Sequence, residues 1–196
     1  MVSTIQQLIT DAPTLAVMLG ATQLAFGCIG LAGIRRARLK GQPLPPLFAG
    51  NRRRAIVSGV VGAFVLLGFG HLYGLGVESL MGKPPPSPWA AANAMPTATK
   101  MIFLLFGGLG APLAEEIFFR GYLFGKFKAA GCIGLGLIVT SFLFGVVHFT
   151  DPYNIPAICL IGGWLAWSFH RTESLMAPII THAINNSVQI LWLVCA

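Results

Sequence analysis

Ala114-Glu115-Glu116-Ile117-Phe118-Phe119-Arg120-Gly121-Tyr122 is the stretch that decides how this chain is read. It sets two adjacent carboxylates and an arginine inside a run otherwise as apolar as a membrane span. Charge placed there costs roughly 2.5–3.5 kcal/mol per residue on insertion scales, so each charge needs a partner or a task. On a helix Glu116 and Arg120 are four apart on one face, with the acid on the N-terminal side, the favourable order for an ion pair. Glu115 projects about 100° away from Glu116. The pairing leaves Glu115 over, and that makes it the candidate catalyst.

The flanking sequence fixes the class. Of 196 residues, 55% are hydrophobic and only 10% charged, too little charge to cover a soluble surface. The runs Ala12–Ile34, Ala55–Val77, Ala129–Thr150, Pro152–His170 and Ser174–Ala196 contain no Asp, Glu, Lys or Arg. All reach the roughly 17–25 residues that a bilayer-spanning helix needs. A sixth span runs from near Thr99 through the Glu pair to about Lys128. The expected fold is all-α, a bundle of about six transmembrane helices forming one domain over residues 1–196, with the motif-bearing core at about 99–196. The N-terminus lacks a basic region ahead of its apolar run, so no removable signal peptide is expected.

The net charge of +7 is not spread as a nucleic-acid binder would spread it. Arg35, Arg36, Arg38, Lys40, Arg52, Arg53 and Arg54 are seven of the 13 basic residues and fall in the first inter-span loop. That is the signature of a cytoplasmic loop that touches anionic headgroups. Lys126, Lys128 and Arg171 mark later returns to the same side, which places both termini outside. Pro43, Pro45 and Pro46 keep the basic loop from being helical. The proline-rich segment from Met81 to Thr99 is a loop on the opposite face, with Trp89 at the interface. Cys28, Cys132, Cys159 and Cys195 have no CxxC spacing and read as small apolar residues packed between helices.

Within the spans a few polar residues stand out. Pro112, just before the Glu pair, predicts a kink or a new helix start near Ala114. His71 in the second span reads as a packed helix residue. His148 closes Phe144-Gly-Val-Val-His148, and the four-residue spacing lets the Phe144 ring wall a pocket beneath the imidazole. His182 and Asn186 share one helix face and address one site together. A glutamate and a histidine can deprotonate and hold a water, while a second histidine and an amide can stabilise an oxyanion. Glu115, His148 and His182 also make a possible zinc set, although no HExxH places two ligands on one turn. Each piece has a structural reading too: an ion pair for Glu116–Arg120, a helix end for His148, interhelical hydrogen bonding for His182 and Asn186.

Taken together, the motifs resemble those of a known family. Glu115-Glu116-Ile-Phe-Phe-Arg120 looks like its EExxxR motif, Phe144-Gly-Val-Val-His148 like its FxxxH motif, and His182-Ala-Ile-Asn-Asn186 like its HxxxN motif. The family is the CPBP group of intramembrane proteases, which includes CAAX prenyl endoproteases and bacterial proteins linked to bacteriocin processing and self-immunity. The resemblance covers Pro112 to about Ser187. It implies a membrane-embedded endopeptidase, with Glu115 activating water, His148 assisting, His182 and Asn186 on the oxyanion side, and Glu116–Arg120 with Phe144 in support. The family is commonly described as metal-dependent, with zinc as the candidate ion, and a metal-free glutamate-activated water is argued as well.

The implied substrate is a membrane-associated peptide or protein, either a prenylated CAAX tail or a leader peptide. The implied location is the inner membrane of a bacterium. Nucleic acid is not an expected partner. A non-catalytic binding or immunity protein that keeps the protease fold is the alternative, and a small transporter with a carboxylate proton relay is a third. Counting residues along the spans puts His148 nearer the side away from the basic loop, whereas CAAX processing implies access from the cytoplasm.

Overall fold

A computed structural model describes residues 12–42, 44–82, 95–149 and 152–195. The expectations for Asp11, Trp89, Asp151 and the proline-rich residues 83–94 lie outside the described residues. Those that are described form six helices: α1 (Ala12–Leu39), α2 (Arg52–Met81), α3 (Thr97–Ala129), α4 (Ile133–Val146), α5 (Ile155–Thr172) and α6 (Met176–Cys195). The chain is a helical protein of membrane type. Large apolar side chains such as Leu24, Phe64, Ile138, Phe142 and Trp192 point outward, which suits contact with acyl chains and not water.

The helices α1, α2 and α3 are long and apolar enough to cross a membrane. The fourth does not meet the span expected over Ala129–Thr150. It stops at Val146 after 14 residues, about 21 Å of rise against a hydrocarbon core of about 30 Å. The sequence hides this stop because Val147 and Phe149 continue the apolar run past the helix end. The turn after α4 therefore lies at a depth close to that of Glu115, which stands 14 positions before the end of α3.

At the basic end, residues 44–51 are not helical, as the prolines require, and they are stitched to the α5–α6 turn. The Leu175 N–H donates to the Leu47 carbonyl at 2.7 Å, and the Ala49 and Gly50 N–H groups donate to the Glu173 carbonyl. A Cβ at Gly50 would run into the Thr172 carbonyl, so glycine is needed for the close approach. The Asn51 side chain then caps α2 by accepting from the Arg54 N–H at 2.9 Å.

The helices α2 and α6 pack closely because both present small residues. The Thr181 hydroxyl donates to the Gly59 carbonyl at 2.9 Å across the pair. A Cβ at Gly59 would lie 2.8 Å from Ile180 Cβ and 2.9 Å from the Ala177 carbonyl. Gly59→Leu should cost about 1–3 kcal/mol by forcing the helices apart. Thermal unfolding of the purified variant checks this, and an unchanged midpoint would contradict the close packing.

The cysteines are not packed as expected. Cys28, Cys132 and Cys195 are exposed and Cys159 is partly buried, all as free thiols.

Candidate active site

The site is built on α3, and that helix is irregular. Its backbone widens to π geometry over Leu104–Gly110, returns to α over Ala111–Glu116, and widens again over Ile117–Phe124. Pro112 therefore does not break the helix; widening accommodates the ring, a frequent arrangement at functional positions. A proline also lacks an N–H, which leaves carbonyls one turn back without their donor. In lipid those groups must be satisfied from neighbouring helices. The Asn186 amide donates to the Gly107 carbonyl at 3.2 Å, and the Ser187 hydroxyl to the Gly108 carbonyl at 3.4 Å. Gln23 of α1 donates to the Phe106 carbonyl at 2.6 Å.

Sequence reasoning missed Ser187, because the need it meets is created by a proline on another helix, and Gln23, whose partner, the Phe106 carbonyl, also accepts from the Ala111 N–H. It follows that Asn186→Leu should orphan the Gly107 carbonyl and lower stability by about 1–3 kcal/mol. A thermal midpoint equal to wild type would show that the carbonyl has another donor.

One turn beyond Pro112 lies the charged cluster. Glu116 and Arg120 are fully buried, with Arg120 Nη1 donating to Glu116 Oε1 at 2.9 Å. The second guanidinium nitrogen donates to the Gly162 carbonyl of α5 at 2.9 Å. The guanidinium carbon also stands 4.3 Å from the centroid of the Phe144 ring, a cation–π contact in a dry setting. The pair is as expected from the i,i+4 spacing. Its third partner is not. His182 Nδ1 meets the same Glu116 oxygen at 2.9 Å. Since a carboxylate only accepts, that nitrogen carries a proton. Glu116 thus both pairs with Arg120 and fixes the imidazole of α6.

The other face of His182 looks at Glu115. Its Nε2 lies 4.0 Å from Glu115 Oε2. That oxygen is buried and has no hydrogen-bond partner among the described residues. A buried carboxylate oxygen without a partner is costly and calls for a reason. A single bridging water, about 2.8 Å from each atom, would span such a separation; that oxygen is closed to solvent here, so the water enters only when the side chains part.

His148 lies just beyond the end of α4, where the early stop places it deep in the bundle. Its Nδ1 is 2.8 Å from the Phe144 carbonyl. A carbonyl only accepts, so Nδ1 carries a hydrogen and Nε2 is the nitrogen left for the cavity. The Phe144 ring is 5.1 Å from the His148 ring and 5.6 Å, edge-on, from His182. It separates and steadies both.

His148, His182, Asn185 and Asn186 open on a cavity of about 550 Å³ between α2, the α4–α5 turn, α5 and α6. Its upper wall is apolar, with Leu66, Ile161, Val188 and Trp192 among the lining residues. Trp192 and Val188 are also exposed on the outer face, so the cavity is bordered by the lipid-facing surface. His71 is on this wall and exposed, not packed as its position suggested. Glu115 is not part of the wall; 14% of its side chain is accessible, and it stands behind His182. The cavity runs along α6 from His182, the seventh residue counted from the basic end, to Trp192, and along α2 from Leu66 at mid-helix to Tyr73.

The proposed metal set of Glu115, His148 and His182 does not assemble. Among the described residues no three His, Cys, Asp or Glu side chains come together as a metal site. Glu115 Oε2 and His182 Nε2 face one another, but no third donor joins them, so no step is routed here through an ion.

The site thus combines a carboxylate oxygen without a hydrogen-bond partner among the described residues, two oriented imidazoles and a cavity beside the outward-facing apolar surface. Residues 97–188 match the family model described as type II CAAX prenyl endopeptidase Rce1-like, the kind of protein that the three motifs resemble. An uncharacterized 24.3 kDa protein of Escherichia coli is 26% identical over 144 residues, covering 71% of this chain and 64% of that protein. The "Putative membrane peptidase YdiL" of Bacillus subtilis is 26% identical over 86 residues, covering 44% of this chain and 35% of that protein. The matches thus span less than two thirds of either relative. No solved structure matches the chain.

Proposed function

We propose that the chain is an intramembrane endopeptidase that hydrolyses a peptide bond of a membrane-associated substrate, with Glu115 as general base. The observation that carries this reading is the Glu115 oxygen without a hydrogen-bond partner that faces Nε2 of His182 at 4.0 Å, directly behind the His182 wall of a cavity beside the lipid surface.

Charge balance supplies the roles. Arg120 neutralises Glu116, and His182 lies between the two carboxylates, with Nδ1 on Glu116 and Nε2 toward Glu115. A water held at Glu115 gives up a proton to that carboxylate and attacks the carbonyl carbon. The carbonyl oxygen gains the charge and accepts a hydrogen bond from His182 Nε2–H. The C–N bond then breaks. Glu115 returns its proton to the leaving amine, and His148 Nε2 accepts a hydrogen bond that orients the amine or the water. Asn186 holds the widened backbone of α3, and its remaining amide N–H is free to serve the oxyanion.

The apolar wall suits a prenyl group or a hydrophobic peptide segment arriving from the bilayer, so a prenylated CAAX tail and a leader peptide are the substrate classes to try. A bacterial inner membrane is the proposed location, and residues 1–196 are proposed to work as one domain. The test is cleavage of both peptide classes by the reconstituted chain, with and without a chelator. The residues predict cleavage that survives chelation. Loss on chelation, restored by zinc, would mean that a third ligand joins Glu115 and His182.

A further inference from the structure

A second cavity, of about 220 Å³, lies at the basic end between α1 and the last turns of α3. Its lining includes Arg36 of α1, Lys40 of the turn that follows it and Lys126 of α3, together with Gly33, Gln42 and Tyr122. Gly33 and Arg36 share one face of α1, and Lys40, whose N–H donates to the Arg36 carbonyl, continues it past the helix end.

Three cations converge on this concavity without an acid to balance them. Glu173 is the acidic residue that belongs to a loop at this end, and it is paired with Lys128 at 3.4 Å. No ion pair to Arg36, Lys40 or Lys126 occurs among the described residues. Lys126 instead holds its ammonium 5.5 Å from the centroid of the Tyr122 ring. That ring is packed tightly on α1, since a Cβ at Gly33 would fall 2.6 Å from it. Tyr122 is therefore a fixed floor and not a mobile cover. Unbalanced cations grouped in a concavity at a membrane boundary attract an anion of matching size.

We propose that this cavity binds a phosphate group, and that its source is the headgroup of an anionic phospholipid. The surroundings favour the lipid over free phosphate. Leu39, one residue before Lys40 and about 100° round the helix from it, is exposed on the outer surface beside the cavity, where an acyl chain of a headgroup seated in the cavity would run. This reading is independent of the catalytic one, because neither Glu115 nor the larger cavity takes part.

The test uses the full chain, delipidated in a nonionic detergent. It is titrated separately with phosphatidylglycerol, phosphatidylcholine and inorganic phosphate, and binding is followed by native mass spectrometry and by the thermal midpoint. Phosphatidylglycerol should be retained in preference to phosphatidylcholine. Arg36→Gln/Lys40→Gln/Lys126→Gln should weaken it by roughly 100-fold, at about fivefold per charge. The equal charge change Arg52→Gln/Arg53→Gln/Arg54→Gln should leave it nearly unaltered. Should the triple variant fold poorly, Lys126→Glu, at an exposed position, asks the same question alone. Inorganic phosphate bound as tightly as the lipid, with the same dependence on these residues, would support the phosphate site and assign it to a soluble source. Equal weakening by both triple variants, or none by either, would overturn the proposal, because the charge would then act diffusely or not at all.

Discussion

Glu115→Gln is expected to lower the rate of peptide cleavage by about 10²–10⁴-fold, the usual contribution of a positioned general base, while the fold is kept. The two side chains are nearly isosteric, so the packing behind His182 is preserved. The amide cannot take a proton from water, and it removes the negative charge that faces His182 Nε2. Because that carboxylate oxygen is buried without a partner, its neutralisation should leave the thermal midpoint unchanged or raise it. Rate loss with intact stability is the signature of chemistry. A matching loss of both would make Glu115 a structural residue and would favour the binding-protein reading.

Arg120→Met carries the largest expected effect on stability. It leaves the Glu116 carboxylate fully buried and robbed of its cation, and breaking one side of such a pair costs about 3–5 kcal/mol. The methionine also gives up the hydrogen bond to the Gly162 carbonyl and the stacking on Phe144. Adding Glu116→Gln removes the stranded charge, so the double variant should regain much of the loss. Activity should not return with it, because His182 Nδ1 would then lack the carboxylate that fixes it. Thermal unfolding and cleavage measured on the single and double variants separate the two roles. Activity that recovers alongside stability would show that Glu116 is a counter-ion and nothing more.

The sequence carried the local geometry well. The Glu116–Arg120 pair follows from a four-residue spacing in an apolar run, and the shared face of His182 and Asn186 brings both to one cavity. Phe144 stands against the His148 ring for the same reason. The features it hid are tertiary. The stop of α4 at Val146 is marked by no charge or proline between Ile133 and His148. The contact of His182 with Glu116 is made across helices 66 positions apart. Gln23 sits in an uncharged span and finds its partner, the Phe106 carbonyl, in the widened part of α3, which no reading of α1 alone supplies. The same is true of His71, Tyr73 and their neighbours on α2: apolar patterning identifies the helix, and only packing turns its later half into a cavity wall.

Tyr73 adds one contact with a bearing on access to that cavity. Its hydroxyl donates to the Tyr153 carbonyl at 2.8 Å, joining α2 to the turn between α4 and α5 at the cavity rim. The turn that carries His148 is thereby held from two sides, by Tyr73 outside and by the Phe144 carbonyl within.

The most direct measurement is cleavage by the purified chain in proteoliposomes, with products identified by mass spectrometry. Wild type is run beside Glu115→Gln and His148→Ala on a farnesylated CAAX peptide and on leader peptides. A single defined product from wild type, absent in both variants, is the predicted result. The same product formed at the wild-type rate by Glu115→Gln would contradict the account at its centre, since water would then be activated somewhere else.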